Sequence, residues 1–146
     1  MPLKNSLETV LIVQDNRVVL DVLRSILEHA GFCVLTAQNS TQAIQVEDGF
    51  YQRIDLLLCD VMMPDMSGPV ISRILKKHRP EMRVMLMSGY PDGHMLFLNH
   101  GWHFIEKQHL AAKLVQRVKD ALYAPVVGEG EDRFAHIAEK VSTSAA

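Results

Sequence analysis

Cysteine is nearly absent from this chain of 146 residues, with only Cys33 and Cys59 present. Both lie in apolar stretches (Gly31-Phe32-Cys33-Val34-Leu35 and Leu56-Leu57-Leu58-Cys59), so a disulfide framework is excluded, and with no other thiol at ligand spacing so is a zinc ribbon. They read as small buried hydrophobes. An excess of one charge is also missing: 15 Lys and Arg stand against 17 Asp and Glu, a formal charge of -2. That excludes the basic field of a dedicated nucleic-acid or anionic-membrane binder. No apolar run approaches the roughly 20 residues of a membrane span. Met1-Pro2-Leu3-Lys4 is not followed by an apolar signal core, so the reading is a cytoplasmic chain. A hydrophobic fraction of 48% rules out global disorder. The length suits one domain with a short appendage.

Three apolar runs are continuous rather than alternating: Val10-Leu11-Ile12-Val13, Leu56-Leu57-Leu58-Cys59 and Val84-Met85-Leu86-Met87. Strands buried on both faces have this pattern. Segments of helical period lie between them. Val19, Val22, Leu23, Ile26 and Leu27 stop at Gly31; Val70, Ile71, Ile74 and Leu75 stop before Pro80; Leu110, Leu114, Val115, Val118, Ala121 and Leu122 form the last stripe. Weaker strands are expected at Phe32 to Ala37 and Trp102 to Ile105, and weaker helices at about Thr41 to Asp48 and about His94 to Asn99. Five strands alternating with five helices predict an α/β fold, a parallel sheet of order 2-1-3-4-5 with helices on both faces. The domain is expected over residues 1–123. Residues 124–146 read as a linker with a short amphipathic tail, in which Phe134, Ile137 and Val141 keep helical spacing.

In such sheets ligands sit beyond the carboxyl ends of the strands, near the switch in winding direction. Strand one is read as ending in Gln14-Asp15, strand three in Asp60, strand four in Ser88 and strand five in Lys107. Two carboxylates at neighbouring strand ends call for a shared cation, and a hard divalent ion such as Mg²⁺ takes one or two carboxylates. Lys107 and the Ser88 hydroxyl suit phosphoryl oxygens. Asp60 is then a second metal ligand or a nucleophile that becomes an acyl phosphate.

From about Thr9 to Tyr123 the chain resembles the receiver domains of bacterial two-component response regulators, in the single-domain, chemotaxis-regulator style. The resemblance rests on Val10-Leu11-Ile12-Val13-Gln14-Asp15-Asn16, Cys59-Asp60-Val61-Met62-Met63-Pro64-Asp65-Met66-Ser67-Gly68, Met87-Ser88-Gly89-Tyr90 and Phe104-Ile105-Glu106-Lys107 in this order and spacing. It implies a flavodoxin-like fold and a phosphorelay in which Asp60 accepts a phosphoryl group from a histidine kinase or a small phosphodonor. It further implies Mg²⁺ held by Asp15, Asp60 and the backbone carbonyl of Met62, with Ser88 and Lys107 on the phosphoryl oxygens. Ser88 and Phe104 are the implied switch residues. Such a domain turns over no metabolite and catalyses only its own phosphorylation and dephosphorylation.

Three departures stand out. Gln14 replaces the first acid of the usual pair; its carbonyl oxygen can still reach the metal through water, so weakened metal affinity is expected. Gln108 follows Lys107 where a proline after a cis bond is usual, so the loop is expected to relax to trans or store strain. Met62 and Tyr90 are bulky where side chains govern access of the hydrolytic water, so both are expected to lengthen the phosphate lifetime.

Met95-Leu96-Phe97-Leu98, with Phe104, is read as the surface that phosphorylation reshapes for a partner. The histidines, His94, His100, His103 and His109 among them, are read as surface residues. Expected partners are a sensor histidine kinase or phosphotransfer protein and a downstream protein target, without direct nucleic-acid or membrane contact; a homodimer stays open. No output domain is expected after Tyr123, which leaves a stand-alone receiver or a fragment of a hybrid kinase. A haloacid-dehalogenase-type phosphatase needs a second Asp two residues after the first, where Arg17 stands, and a flavin binder needs a hydroxyl-rich loop where Asp15-Asn16-Arg17-Val18 stands. The remaining alternative is a pseudo-receiver, an interaction module independent of phosphorylation, to which Gln14 and Gln108 point.

Overall fold

The structure is a computed structural model that describes residues 7–89 and 101–123. Five parallel strands carry the fold: β1 (Thr9–Val13), β2 (Cys33–Ala37), β3 (Leu56–Asp60), β4 (Arg83–Ser88) and β5 (His103–Glu106), in the order β2-β1-β3-β4-β5. Helices α1 (Arg17–His29), α2 (Ser40–Gly49), α3 (Gly68–His78) and α4 (Leu110–Tyr123) connect and follow them, and a 3₁₀ turn at Lys107–His109 leads into α4. The sheet order is the expected one, and the four helices among the described residues match four of the five expected. The fifth, at about His94 to Asn99, lies outside the described residues, as do Tyr90, the Met95 to Leu98 patch and the tail of residues 124–146.

The continuous apolar runs are explained by the two cores. Every residue of β1 and β3 is buried. Register pairs Val10 with Leu56 and Ile12 with Leu58, so these side chains share one face and pack with Leu20, Leu23 and Leu27 of α1 and Leu114, Val118 and Ala121 of α4. Leu11, Val13, Leu57 and Cys59 point to the other face, against Ala43 of α2 and Ile71 and Leu75 of α3. A strand with helices on both sides has no wet face, so it needs no polar alternation.

Helix ends are set by local chemistry. Asn16 caps α1 by accepting from the Val19 amide. The helix closes with Gly31 at φ +99°, where the Gly31 amide donates to the Glu28 carbonyl and the Phe32 amide to the Leu27 carbonyl. That pair of bonds, with Phe32 and Leu27 both buried, is a Schellman closure. α2 is capped by Asn39, which accepts from the Gln42 amide. α3 opens with Pro69 in its first turn and ends on Lys76, Lys77 and His78, whose basic character suits the negative end of the helix dipole. Ser67 precedes it without a side-chain cap bond.

Between α2 and α3 lies a charged cluster at the edge of the second core. Glu47 is buried, and its carboxylate accepts from His78 Nδ1 at 2.9 Å and Arg79 Nε at 2.8 Å. Arg79 also donates to the backbone carbonyls of Glu47, Phe50 and Gln52. Burial pushes the Glu47 carboxyl up, but the hydrogen bonds and charges of His78 and Arg79 outweigh it and hold the group below its ordinary range.

Candidate functional site

The carboxyl edge of the sheet brings four of the expected residues, Gln14, Asp60, Met62 and Lys107, into direct contact. Asp60, the last residue of β3, is 1% exposed. Its Oδ2 meets Lys107 Nζ at 2.7 Å and accepts from Gln14 Nε2 at 3.0 Å, while Oδ1 accepts from the Met62 amide at 3.0 Å. A buried carboxylate is tolerated only when it is paired and hydrogen-bonded, and here Gln14 and Lys107 each stand just beyond a strand end while the Met62 amide comes from the loop after β3. A carboxylate offers about four lone-pair sites, so three donors leave room for a fourth contact.

Gln14 follows β1, 3% exposed, with its amide nitrogen bonded to the Ala37 carbonyl of β2. Its side-chain Oε1 accepts from the Asn16 amide at 3.0 Å, and its NH₂ faces Asp60. Ser88 ends β4 and is buried. The register places it beside Glu106 of β5, one residue before Lys107. The Lys107–Gln108 peptide is trans, since the described residues contain no cis bond, and Gln108 Nε2 donates to Glu106 Oε2 at 2.7 Å. Asp15 is exposed at the same edge, Met62 is 68% exposed on the loop after β3, and Phe104 is half-buried against the second core. Beneath the site, burial and then the Asp60 charge push the Cys59 thiol far up, so Cys59 remains an inert neutral thiol.

Oxygen donors of the site fit a hard divalent cation: the carboxylates of Asp15 and Asp60 and the backbone carbonyl of Met62 are the type that Mg²⁺ takes, with water completing the shell. Among the described residues there is no cluster of three or more His, Cys, Asp or Glu that would suggest a softer or more tightly caged metal.

Two further residues shape the β3–α3 connection that follows Asp60 and were not singled out for it by sequence. Gly68 sits so close behind the Asp60 carbonyl that no side chain fits there, and its amide donates to the Val61 carbonyl at 2.9 Å. Asp65 reaches across to α2, accepting from the Ser40 amide at 3.1 Å and from the Thr41 amide at 3.2 Å and hydroxyl at 3.3 Å. The Gly-Pro pair eight residues after Asp60 was a signal for the first. Nothing local could signal the second, because its partners lie 24 and 25 residues away.

Solved structures share this architecture. A CheY-like receiver domain protein from Methanospirillum hungatei is 29% identical with a TM-score of 0.71, covering 80% of this chain and 94% of that one. The receiver domain of the hybrid histidine kinase CckA is 30% identical with a TM-score of 0.68, covering 78% and 98%. Among curated proteins, the transcriptional regulatory protein CpxR of Escherichia coli is 30% identical over 77% of this chain and 48% of its own length. The sensor kinase CckA of Brucella abortus is 28% identical over 78% of this chain and 12% of its own. The chain therefore spans less than half the length of these two relatives. A protein-family model described as the response regulator receiver domain matches residues 10–119, and the chain belongs to that family.

Proposed function

We propose that this chain is a phosphoacceptor of a two-component phosphorelay, with Asp60 as the residue that takes the phosphoryl group. The observation that carries the reading is the buried Asp60 carboxylate held at a strand end by the Lys107 ammonium. An Asp60 oxygen attacks the phosphorus of a kinase phosphohistidine or of a small phosphodonor; the P–N or P–O bond to the donor breaks and an acyl phosphate forms. Lys107 then balances charge on the phosphoryl oxygens, and the Ser88 hydroxyl donates to another of them. Mg²⁺, held by the Asp15 and Asp60 carboxylates and the Met62 backbone carbonyl, would supply positive charge to the same oxygens.

The output is a change of surface. Ser88 moves toward the phosphoryl group, Phe104 turns inward, and a downstream protein reads the result. The donor partner is a sensor histidine kinase or phosphotransfer protein, and the setting is the cytoplasm. The proposed receiver unit runs through residues 1–123.

Intact mass after incubation with acetyl phosphate and Mg²⁺ tests the assignment. One phosphoryl group is expected on the wild type and none on Asp60→Asn; Lys107→Ala is expected to be slowed at least tenfold. An unmodified wild type, with acetyl phosphate and with a panel of histidine kinases, would favour the pseudo-receiver alternative.

A further inference from the structure

The side-chain amide of Gln14 is held from both ends. Oε1 accepts from the Asn16 backbone N–H at 3.0 Å, and Nε2 donates to Asp60 Oδ2 at 3.0 Å. The two ends are not interchangeable: a backbone N–H only donates and an ionised carboxylate only accepts, so a rotated amide would set donor on donor and acceptor on acceptor. With Gln14 3% exposed, water does not take over either contact. The carbonyl oxygen that a cation would need is therefore turned to the Asn16 amide. What Gln14 presents to the acceptor is the positive end of its dipole, on the same oxygen that Lys107 contacts.

We infer that Gln14 is a positioning residue that competes with Mg²⁺ for Oδ2 of the Asp60 carboxylate, so that protein donors hold that oxygen in the resting site and a divalent cation gains it by displacing the amide. A cation approaching Oδ2 meets an N–H dipole already bonded there, and a hydrogen bond to a charged acceptor is among the stronger ones. An acid at position 14 would do the reverse, adding negative charge and acceptor lone pairs. Removing the side chain separates the two effects, because it takes away the competitor without adding charge.

The inference rests on the reading of Asp60 as a metal-assisted acceptor, and its test reads cation uptake instead of phosphorylation. Mg²⁺ is titrated calorimetrically into the full chain at constant ionic strength without phosphodonor, for wild type, Gln14→Ala, Gln14→Asp and Asp60→Asn. Gln14→Ala is expected to bind roughly three- to tenfold more tightly than wild type, from loss of one charge-assisted bond. Gln14→Asp should bind roughly tenfold more tightly or better, and Asp60→Asn should lose binding. Equal or weaker binding by Gln14→Ala overturns the inference, as does binding by none of the variants. Circular dichroism confirms the fold of each; if Gln14→Ala does not fold, Gln14→Met, similar in length and without a donor, takes its place with the same expectation. A chain that takes up Mg²⁺ in this order yet gains no phosphoryl group would sink the phosphoacceptor reading and leave this one standing.

Discussion

Gly68 lies directly against the backbone of Asp60: a Cβ at position 68 would stand 2.2 Å from the Asp60 carbonyl oxygen, 2.9 Å from its carbon and 3.0 Å from Val61 Cα. Those contacts are with main-chain atoms, which cannot swing aside as a flexible side chain would. The first turn of α3 is thus seated on the strand end that carries Asp60, and the absence of a side chain at one residue sets how closely it sits.

Gly68→Ala should therefore cost about 1–3 kcal/mol through overpacking, read as a lower urea midpoint, and should slow the proposed phosphorylation of Asp60 by displacing it. Gly49, at the end of α2, is the control. A Cβ there meets nothing within 4 Å, and its backbone is not left-handed. Gly49→Ala should gain roughly 0.5–1 kcal/mol. A Gly68→Ala variant as stable as the Gly49→Ala control would contradict the packing argument.

Acid should weaken the chain through Glu47. Its folded carboxyl titrates below its ordinary range, so near pH 4 the unfolded chain binds more protons than the folded one, and stability rises with pH there. The contribution is complete above the unfolded value of about 4.3 and is lost as pH falls through the lowered folded value. Urea midpoints measured from pH 7 down to pH 3 should show this fall, shallower in Glu47→Gln. Parallel curves for the two proteins would remove Glu47 as the cause.

Asp65 should control the start of α2. The backbone amide of Ser40 first, then that of Thr41, hold its carboxyl below the usual carboxylate range. In Asp65→Ala the Ser40 and Thr41 amides should exchange hydrogen faster while those in the middle of α1 keep their rates. Unchanged exchange at both positions would show that Asn39 caps the helix unaided.

Met62 is largely exposed, two residues beyond Asp60, and its backbone amide bonds to the Asp60 carboxylate. The proposed shielding of the acyl phosphate by this side chain predicts that Met62→Asn loses its phosphoryl group several-fold faster, followed by the decay of the added mass. An unaltered decay rate would count against shielding by Met62.

Much of the fold was legible because its signals are local or periodic. Continuous apolar runs marked β1, β3 and β4, since burial on both faces removes any polar alternation. Gly31 marked the end of α1 because the left-handed residue of its closure suits glycine. The strand ends were legible in turn, so Gln14, Asp60, Ser88 and Lys107 could be placed along one edge. Boundaries moved slightly: β5 runs His103–Glu106, where Trp102 to Ile105 was expected, because pairing with β4 and not side-chain type sets its ends.

By itself the sequence determined the strand and helix alternation, the sheet order and the residue types at the carboxyl edge, all of which follow from spacing along one chain. Tertiary structure alone decided which end of the Gln14 amide faces Asp60, that Asp65 caps a helix 25 residues upstream, that Glu47 is buried against Arg79 and His78, and how close Gly68 sits to Asp60. Each of these depends on what another segment presents at a distance of about 3 Å, and hydrogen-bond direction and steric exclusion act only at that range.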